Sequence, residues 1–182
     1  MNDRTRRFEA ATLIHMDAAY NLARWLLHDS QNAHDVVQEA YLRAFRFFDG
    51  LRGENAKPWL LQIVRNECYT WMRRDGKLDI EFRDDLDAVE AESVESTGTA
   101  SNPEALMQGK QESQLVNACI GQLPPQFREV LILRELEDMS YQHIARVVGI
   151  PAGTVMSRLS RGRAMLKGML EVNVKEMSHE RA

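Results

Sequence analysis

The sequence predicts an all-α protein: two small helical domains joined by a flexible acidic linker, the C-terminal one containing a helix-turn-helix. Three observations predict it. Apolar residues recur at three- and four-residue steps from Ala18 to Arg74 and again from Leu106 onward, with no alternating strand pattern in either stretch. Between these stretches Asp79, Glu81, Asp84, Asp85, Asp87, Glu90, Glu92 and Glu95 accumulate, and residues 96–103 read Ser-Thr-Gly-Thr-Ala-Ser-Asn-Pro, the composition of a linker. Toward the C-terminus a serine, a small residue and a glycine fall at the offsets of two helices joined by a tight turn.

In chain order, Tyr20, Ala23, Leu26 and Leu27 form one apolar stripe, and Val36, Val37, Ala40, Tyr41, Ala44 and Phe48 form a second. Asp29, Ser30 and Asn32 offer capping oxygens between them, and Asp49-Gly50 closes the second helix. A third helix is expected to begin at Pro58 and to carry Trp59, Leu60, Ile63, Val64 and Cys68 inward. Beyond the linker, Leu115, Val116, Cys119 and Ile120 lead to Leu123-Pro124-Pro125, which stops one helix and starts another through Phe127, Val130, Leu131 and Leu133. The expected boundaries are 10–75 for the first domain, 76–110 for the linker, 111–172 for the second domain and 173–182 for a tail.

Charge follows the same division. Residues 1–75 hold 11 basic and 10 acidic side chains, residues 76–112 hold 3 and 10, and residues 113–182 hold 9 and 7, so the net charge of −4 belongs to the middle. No run reaches the length of a membrane span and no apolar stretch follows the N-terminus, so a cytoplasmic protein without membrane contact of its own is expected. Cys68 and Cys119 lack further ligands at metal spacing, and His15, His28, His34, His143 and His179 are scattered. Neither a metal nor a cofactor is suggested. No nucleophile with its base and no ligand-spaced carboxylates stand out, which argues against an enzyme.

In residues 139–159, Ser140 can cap a first helix, Ile144 and the small Ala145 face inward, and Gly149 permits the left-handed backbone of a turn. The second helix then buries Val155, Leu159 and Leu166 and leaves Ser157, Arg158, Arg161 and Arg163 on other faces as candidate DNA contacts. Arginine can read guanine edges or neutralise phosphates, and the sequence does not sort the two roles.

The stretch from Leu123 to Val130, followed by Glu137-Asp138-Met139-Ser140-Tyr141, Ile144-Ala145 and Gly153 to Arg161, resembles the DNA-reading C-terminal domain of extracytoplasmic-function (ECF) sigma factors of the sigma-70 family. Independently, Asp35 to Phe45 resembles that family's core-binding helix. Lys57-Pro58-Trp59-Leu60, Ile63, Arg65-Asn66 and Arg73-Arg74 look like its promoter-melting helix. The resemblance implies an alternative sigma factor that binds core RNA polymerase and directs promoter recognition, DNA melting and transcription initiation. It assigns Asp35, Gln38, Glu39 and Leu42, which share one helical face, to the polymerase. Arg52, Asn55, Lys57, Arg65, Asn66, Arg73 and Arg74 fall to the −10 element, where a flipped base needs polar partners for its exposed edge. Thr154, Ser157, Arg158, Arg161 and Arg163 fall to the −35 element. It also implies an anti-sigma factor as a partner.

The carboxylates of residues 79–95 could compete with nascent RNA near the polymerase active-site cleft. A rival reading is a helix-turn-helix regulator that binds DNA as a dimer without replacing sigma. It accounts for the second half of the chain and leaves Asp35 to Phe45 without a purpose.

Overall fold

A computed structural model describes residues 3–51, 55–76 and 103–179. Eight α-helices occur among them: α1 Asp3–Thr12, α2 Met16–Leu27, α3 Ser30–Phe47, α4 Ala56–Arg74, α5 Pro103–Gln122, α6 Pro125–Leu131, α7 Tyr141–Val148 and α8 Ala152–His179. Short 3₁₀ turns at Leu13–His15 and Phe48–Gly50 and a π-helical turn at Ile132–Leu136 complete the described elements.

The N-terminal domain is built on α2, α3 and α4. Ala18, Ala19, Leu22, Ala23, Leu26 and Leu27 make the inner face of α2, and Ala33, Val36, Val37, Ala40 and Ala44 that of α3. So many alanines let the helix axes approach closely. The Asp29 side chain accepts a bond from the Asn32 amide at 2.8 Å and starts α3. Helix α4 begins two residues before the expected proline, because the Asn55 side chain accepts from the Lys57 amide at 3.1 Å.

Helix α1 is an element the apolar pattern did not reveal, since its outer side is Asp3, Arg6 and Arg7 and its buried residues are Phe8 and Thr12. Phe8 meets Phe45, Phe48 and Tyr41 edge-on at centroid distances of 5.2, 5.4 and 6.2 Å. Arg4 ties the helix down through Asp49 at 2.9 Å and the Phe45 carbonyl at 2.7 Å.

In the C-terminal domain, α6 packs on α8 around Gly162, where an added Cβ would lie 3.1 Å from Leu131 Cδ1. The helix-turn-helix is α7 and α8. Ser140 accepts from the His143 amide at 3.2 Å, and Gly149, at φ 78°, closes α7 in the left-handed region. Val155 and Leu159 are buried and Leu166 is half-buried. Helix α5 starts inside the expected linker, and α8 runs through His179, past the expected boundary at 172.

The two domains do not stand apart. One apolar cluster takes in Leu61, Val64, Cys68 and Met72 of α4 together with Leu123, Val130, Ile144, Val147 and Val148 of the C-terminal domain. Helices α4 and α7 pack directly, as do α2 and α6.

Candidate polymerase and nucleic-acid interfaces

The four residues expected to bind polymerase share one solvent-facing stripe. Asp35, Gln38, Glu39 and Leu42 are all exposed on α3, while Val36, Val37 and Ala40 between them are buried. Leu42, half of whose surface is open at 50%, is an apolar group without cover beside two carboxylates. Gln31 donates to Asp35 at 3.4 Å. Behind the stripe, Arg43 pairs with Glu67 of α4 and fixes the two helices. Such a stripe can offer a hydrophobic anchor and negative charge to a basic helical partner.

The residues assigned to the −10 element divide into two groups. Asn66, Arg73 and Arg74 are exposed along α4, and Thr70 donates to the Asn66 carbonyl at 2.9 Å. Asn55 is exposed too, but its side-chain oxygen is engaged as the cap of α4. Arg52 lies outside the described residues, as do acids 79–95 of the linker. Lys57 and Arg65 are turned toward the C-terminal domain. Lys57 Nζ meets Glu137 Oε2 at 2.9 Å and the Glu137 carbonyl at 3.0 Å. Arg65 makes a two-pronged bond to Glu129, Nε to Oε2 at 2.7 Å and Nη2 to Oε1 at 3.0 Å, with its guanidinium 4.3 Å from the Tyr69 ring centre.

Glu129 is fully buried on α6, and Arg158 approaches it from α8 at 3.8 Å. Burial pushes the Glu129 carboxyl upward, against the pull of Arg65, Tyr69 and Arg158. On Arg65, burial disfavours the charge, yet the bonds to Glu129 win and hold the guanidinium above its ordinary value. Two arginines on one carboxylate favour the ion-paired state.

On α8, Arg158 therefore points into its own domain and is 8% exposed, which makes it a structural ion-pair partner. Thr154 and Ser157 are half-buried, and the Ser157 hydroxyl donates to the Thr154 carbonyl at 3.0 Å. Arg161 is half-buried. Arg163 is exposed and bonds Glu135 at 2.6 Å, a contact that raises its pKa but is open enough to yield to a phosphate. Met156 is 55% exposed on the same helix.

Arg128, adjacent to Glu129 in the run from Phe127 to Leu133, has a role that the sequence did not disclose. It is 5% exposed and donates to four carbonyls: Ile120 at 3.2 Å, Gly121 at 2.8 Å, Leu123 at 2.6 Å and Trp25, across the domain seam, at 3.0 Å. Three of these carbonyls end or follow α5, so Arg128 serves as its C-terminal cap. Burial lowers its pKa to about 10. The available signal was a charged pair, Arg128-Glu129, set within an otherwise apolar run.

Cys68 and Cys119 are buried free thiols, and burial pushes Cys68 well upward, so it is a filler without nucleophilic character. Among the described residues no helix is long and apolar enough to cross a membrane, and no group of His, Cys, Asp and Glu could hold a metal.

Comparison with known proteins agrees with this geometry at both ends of the chain. Residues 14–78 match sigma-70 region 2 and residues 113–166 match sigma-70 region 4. The ECF RNA polymerase sigma-E factor of Escherichia coli K12 is 38% identical over 146 residues, 78% of this chain and 75% of that protein. The ECF RNA polymerase sigma factor SigE of Mycolicibacterium smegmatis is 32% identical over 157 residues, 86% of this chain and 58% of that one. Among solved structures, the sigma factor RpoE of Bartonella quintana, in complex with the anti-sigma factor NepR, superposes with a TM-score of 0.67 at 28% identity, covering 92% of this chain and 98% of that one. CnrH in complex with the cytosolic domain of CnrY shares the fold, with a TM-score of 0.64 at 23% identity, covering 92% and 90%. With both regions in order and a region 2 helix that a simple dimeric regulator would not need, the chain belongs to the ECF sigma factors of the sigma-70 family, alternative sigma factors that direct transcription initiation.

Proposed function

We propose that the exposed stripe Asp35, Gln38, Glu39 and Leu42 docks on core RNA polymerase, and that the α4 edge and the outer face of α8 read the promoter. The single observation that carries this reading is the uncovered Leu42 beside Gln38 and Glu39 on the outer face of α3. Asn66, Arg73 and Arg74, with Lys57, Arg65, Asn55 and Arg52, serve the −10 element. Thr154, Ser157, Arg161 and Arg163 serve the −35 element, and Arg158 supports them from inside the domain. Residue pairs that now bond each other, such as Arg163 and Glu135, exchange for phosphate oxygens when DNA arrives. The protein contributes recognition and strand capture, performs no bond-making chemistry itself, and acts in the cytoplasm beside the polymerase.

The two solved neighbours are both held by a protein partner, in one case named as an anti-sigma factor. We extend that to this chain and expect an anti-sigma partner that covers surfaces of both domains.

The test is to mix the purified chain with core polymerase, isolate the complex by gel filtration and sequence the transcripts initiated on fragmented bacterial genomic DNA. A stoichiometric complex that starts RNA at sites sharing two spaced elements is expected. Leu42→Asp and Glu39→Lys should lose the complex while keeping their helical circular dichroism. If both variants bind core as the parent does, the stripe is not the docking surface.

A further inference from the structure

We propose that a cleft at the junction of α2, α3 and α5 binds a free nucleoside monophosphate, a ligand that joins a phosphate to a flat heterocycle. The cleft has a volume of about 400 Å³ and is lined by Arg24, Trp25, His28, Ser30, Asn117 and Ala118. That size lies in the lower part of the range for small organic ligands, roughly 300–1,000 Å³. Its polar groups are unengaged: among the described residues, the side chains of Arg24, His28, Ser30 and Asn117 make no hydrogen bond or ion pair. Asp29, which stands between His28 and Ser30, turns its carboxylate to the Asn32 amide at 2.8 Å.

Local backbone geometry sets His28 in place. It ends α2 at φ 56°, in the left-handed region where glycine is the unstrained choice, and its amide bonds the Arg24 carbonyl at 3.0 Å. The ring then faces α5, where a Cβ added at Gly121 would lie 3.5 Å from it. Each part of the ligand has a counterpart in the cleft. The Arg24 fork suits phosphate oxygens, and His28 and the Ser30 hydroxyl add donors, Ser30 being the first residue of the 18-residue helix α3, whose N-terminus favours negative charge. The Trp25 indole offers a stacking face with the Arg24 guanidinium 5.8 Å from its ring centre, so charge and flat surface are adjacent. The Asn117 carboxamide supplies both a donor and an acceptor for a ring edge or a sugar hydroxyl. Burial and the nearby Arg128 lower the pKa of His28, so its cation lacks a negative partner, and a phosphate supplies one. Arg24, Trp25, His28 and Ser30 belong to the N-terminal domain and Asn117 and Ala118 to the C-terminal one, so the complete site exists only where α5 lies against α2, and a bound nucleotide favours that arrangement.

The experiment titrates the full chain with AMP, adenosine and inorganic phosphate. Affinity is read by calorimetry and location by Trp25 emission, with Trp25→Phe as the blank for Trp59 and Trp71. AMP should bind at least about 10-fold more tightly than either fragment, because only AMP engages the cations and the indole together. Arg24→Gln should weaken AMP by about 10-fold or more and Asn117→Ala by about 3-fold, while Arg7→Gln, which removes an exposed cation of α1, leaves the affinity unchanged. His28→Gly separates binding from stability: it relieves the left-handed backbone, so AMP affinity falls with no loss of Tm.

The absence of both heat and a Trp25 emission change at millimolar AMP overturns the proposal. So does inorganic phosphate binding as tightly as AMP, which would mark a plain anion site, or an AMP affinity that neither Arg24→Gln nor Asn117→Ala moves.

Discussion

Replacing Arg128 by methionine tests whether a buried cation can be worth its burial. The side chain is 5% exposed and burial lowers its pKa to about 10, so the site disfavours the charged form. Against this stand four charge-assisted bonds to carbonyls at 2.6–3.2 Å. At about 1.5 kcal/mol net for each bond to a charged group, losing the two shortest, to Gly121 and Leu123, already costs about 3 kcal/mol. Methionine keeps most of the apolar stem and removes the donors, leaving the end of α5 without its cap. For a chain of this size, about 3 kcal/mol lowers Tm by roughly 6–12 °C. Urea denaturation followed by circular dichroism at 222 nm measures the loss directly. Lysine should not rescue it, because one ammonium cannot span the fork that reaches Gly121, Leu123 and Trp25 together. A Tm within about 2 °C of the parent would show that water satisfies those carbonyls equally well and that the cap contributes nothing.

Two glycines of α8 should respond in opposite directions to alanine. At Gly162 the new methyl lies 3.1 Å from Leu131 Cδ1 and 3.4 Å from Phe127 Cβ, so crowding outweighs the gain in helix propensity and the midpoint of urea unfolding falls by the equivalent of about 1 kcal/mol. At Gly168 nothing lies within 4 Å, and alanine should stabilise by about 0.5–1 kcal/mol; equal shifts at both sites would refute the packing argument. Asp29→Ala removes the bond to the Asn32 amide and should cost about 1 kcal/mol, whereas Asp29→Asn should keep most of it. Burial lowers the pKa of His15, with Lys57 adding to it, and that of His28, with Arg128 adding to it. A base whose folded pKa lies below its unfolded value binds more protons when unfolded, so stability rises with pH up to about 6.5 and is lost below it. Glu129, raised by burial, works in the opposite sense, so the histidine contribution is read as the difference between the parent and His15→Gln/His28→Gln titrated side by side; parallel pH profiles would refute it.

Helix positions, caps and the helix-turn-helix were legible because they depend on neighbours within a few residues: Asp29 and Ser140 cap, Gly149 turns, and the alanine-rich stripes face inward. Helix α1 was not legible, since a helix that buries Phe8 and Thr12 under a charged outer surface has almost no apolar period. The exposed stripe of Asp35, Gln38, Glu39 and Leu42 was readable as a face, because α3 alone determines it. The fates of Lys57, Arg65 and Arg158 were not. Each is a cation on a helix of a nucleic-acid-binding protein, and sequence cannot say whether its partner is a phosphate or a carboxylate brought near by packing. Their partners are 80, 64 and 29 residues away along the chain.

The charged groups at the seam differ in how much they lose when the domains separate. Arg128 keeps three of its four carbonyls, all in the C-terminal domain, and gives up the bond to Trp25. Glu129 loses Arg65 and retains Arg158. Lys57 and Glu137, whose side chains are 23% and 8% exposed in the packed form, lose each other outright, and opening uncovers both to water. Opening therefore exposes the apolar surface shared by α4 and α7 without leaving any of these charges stranded in a dry interior, the outcome that makes breaking a buried ion pair so costly. The apolar cluster supplies cohesion, and the ion pairs mark which partners can dissolve it: polyanions that compete for Arg65 and Lys57. A surface that covers the apolar strip can bind only the open form, and one that also presents phosphates to α4 shifts the balance further in the same direction.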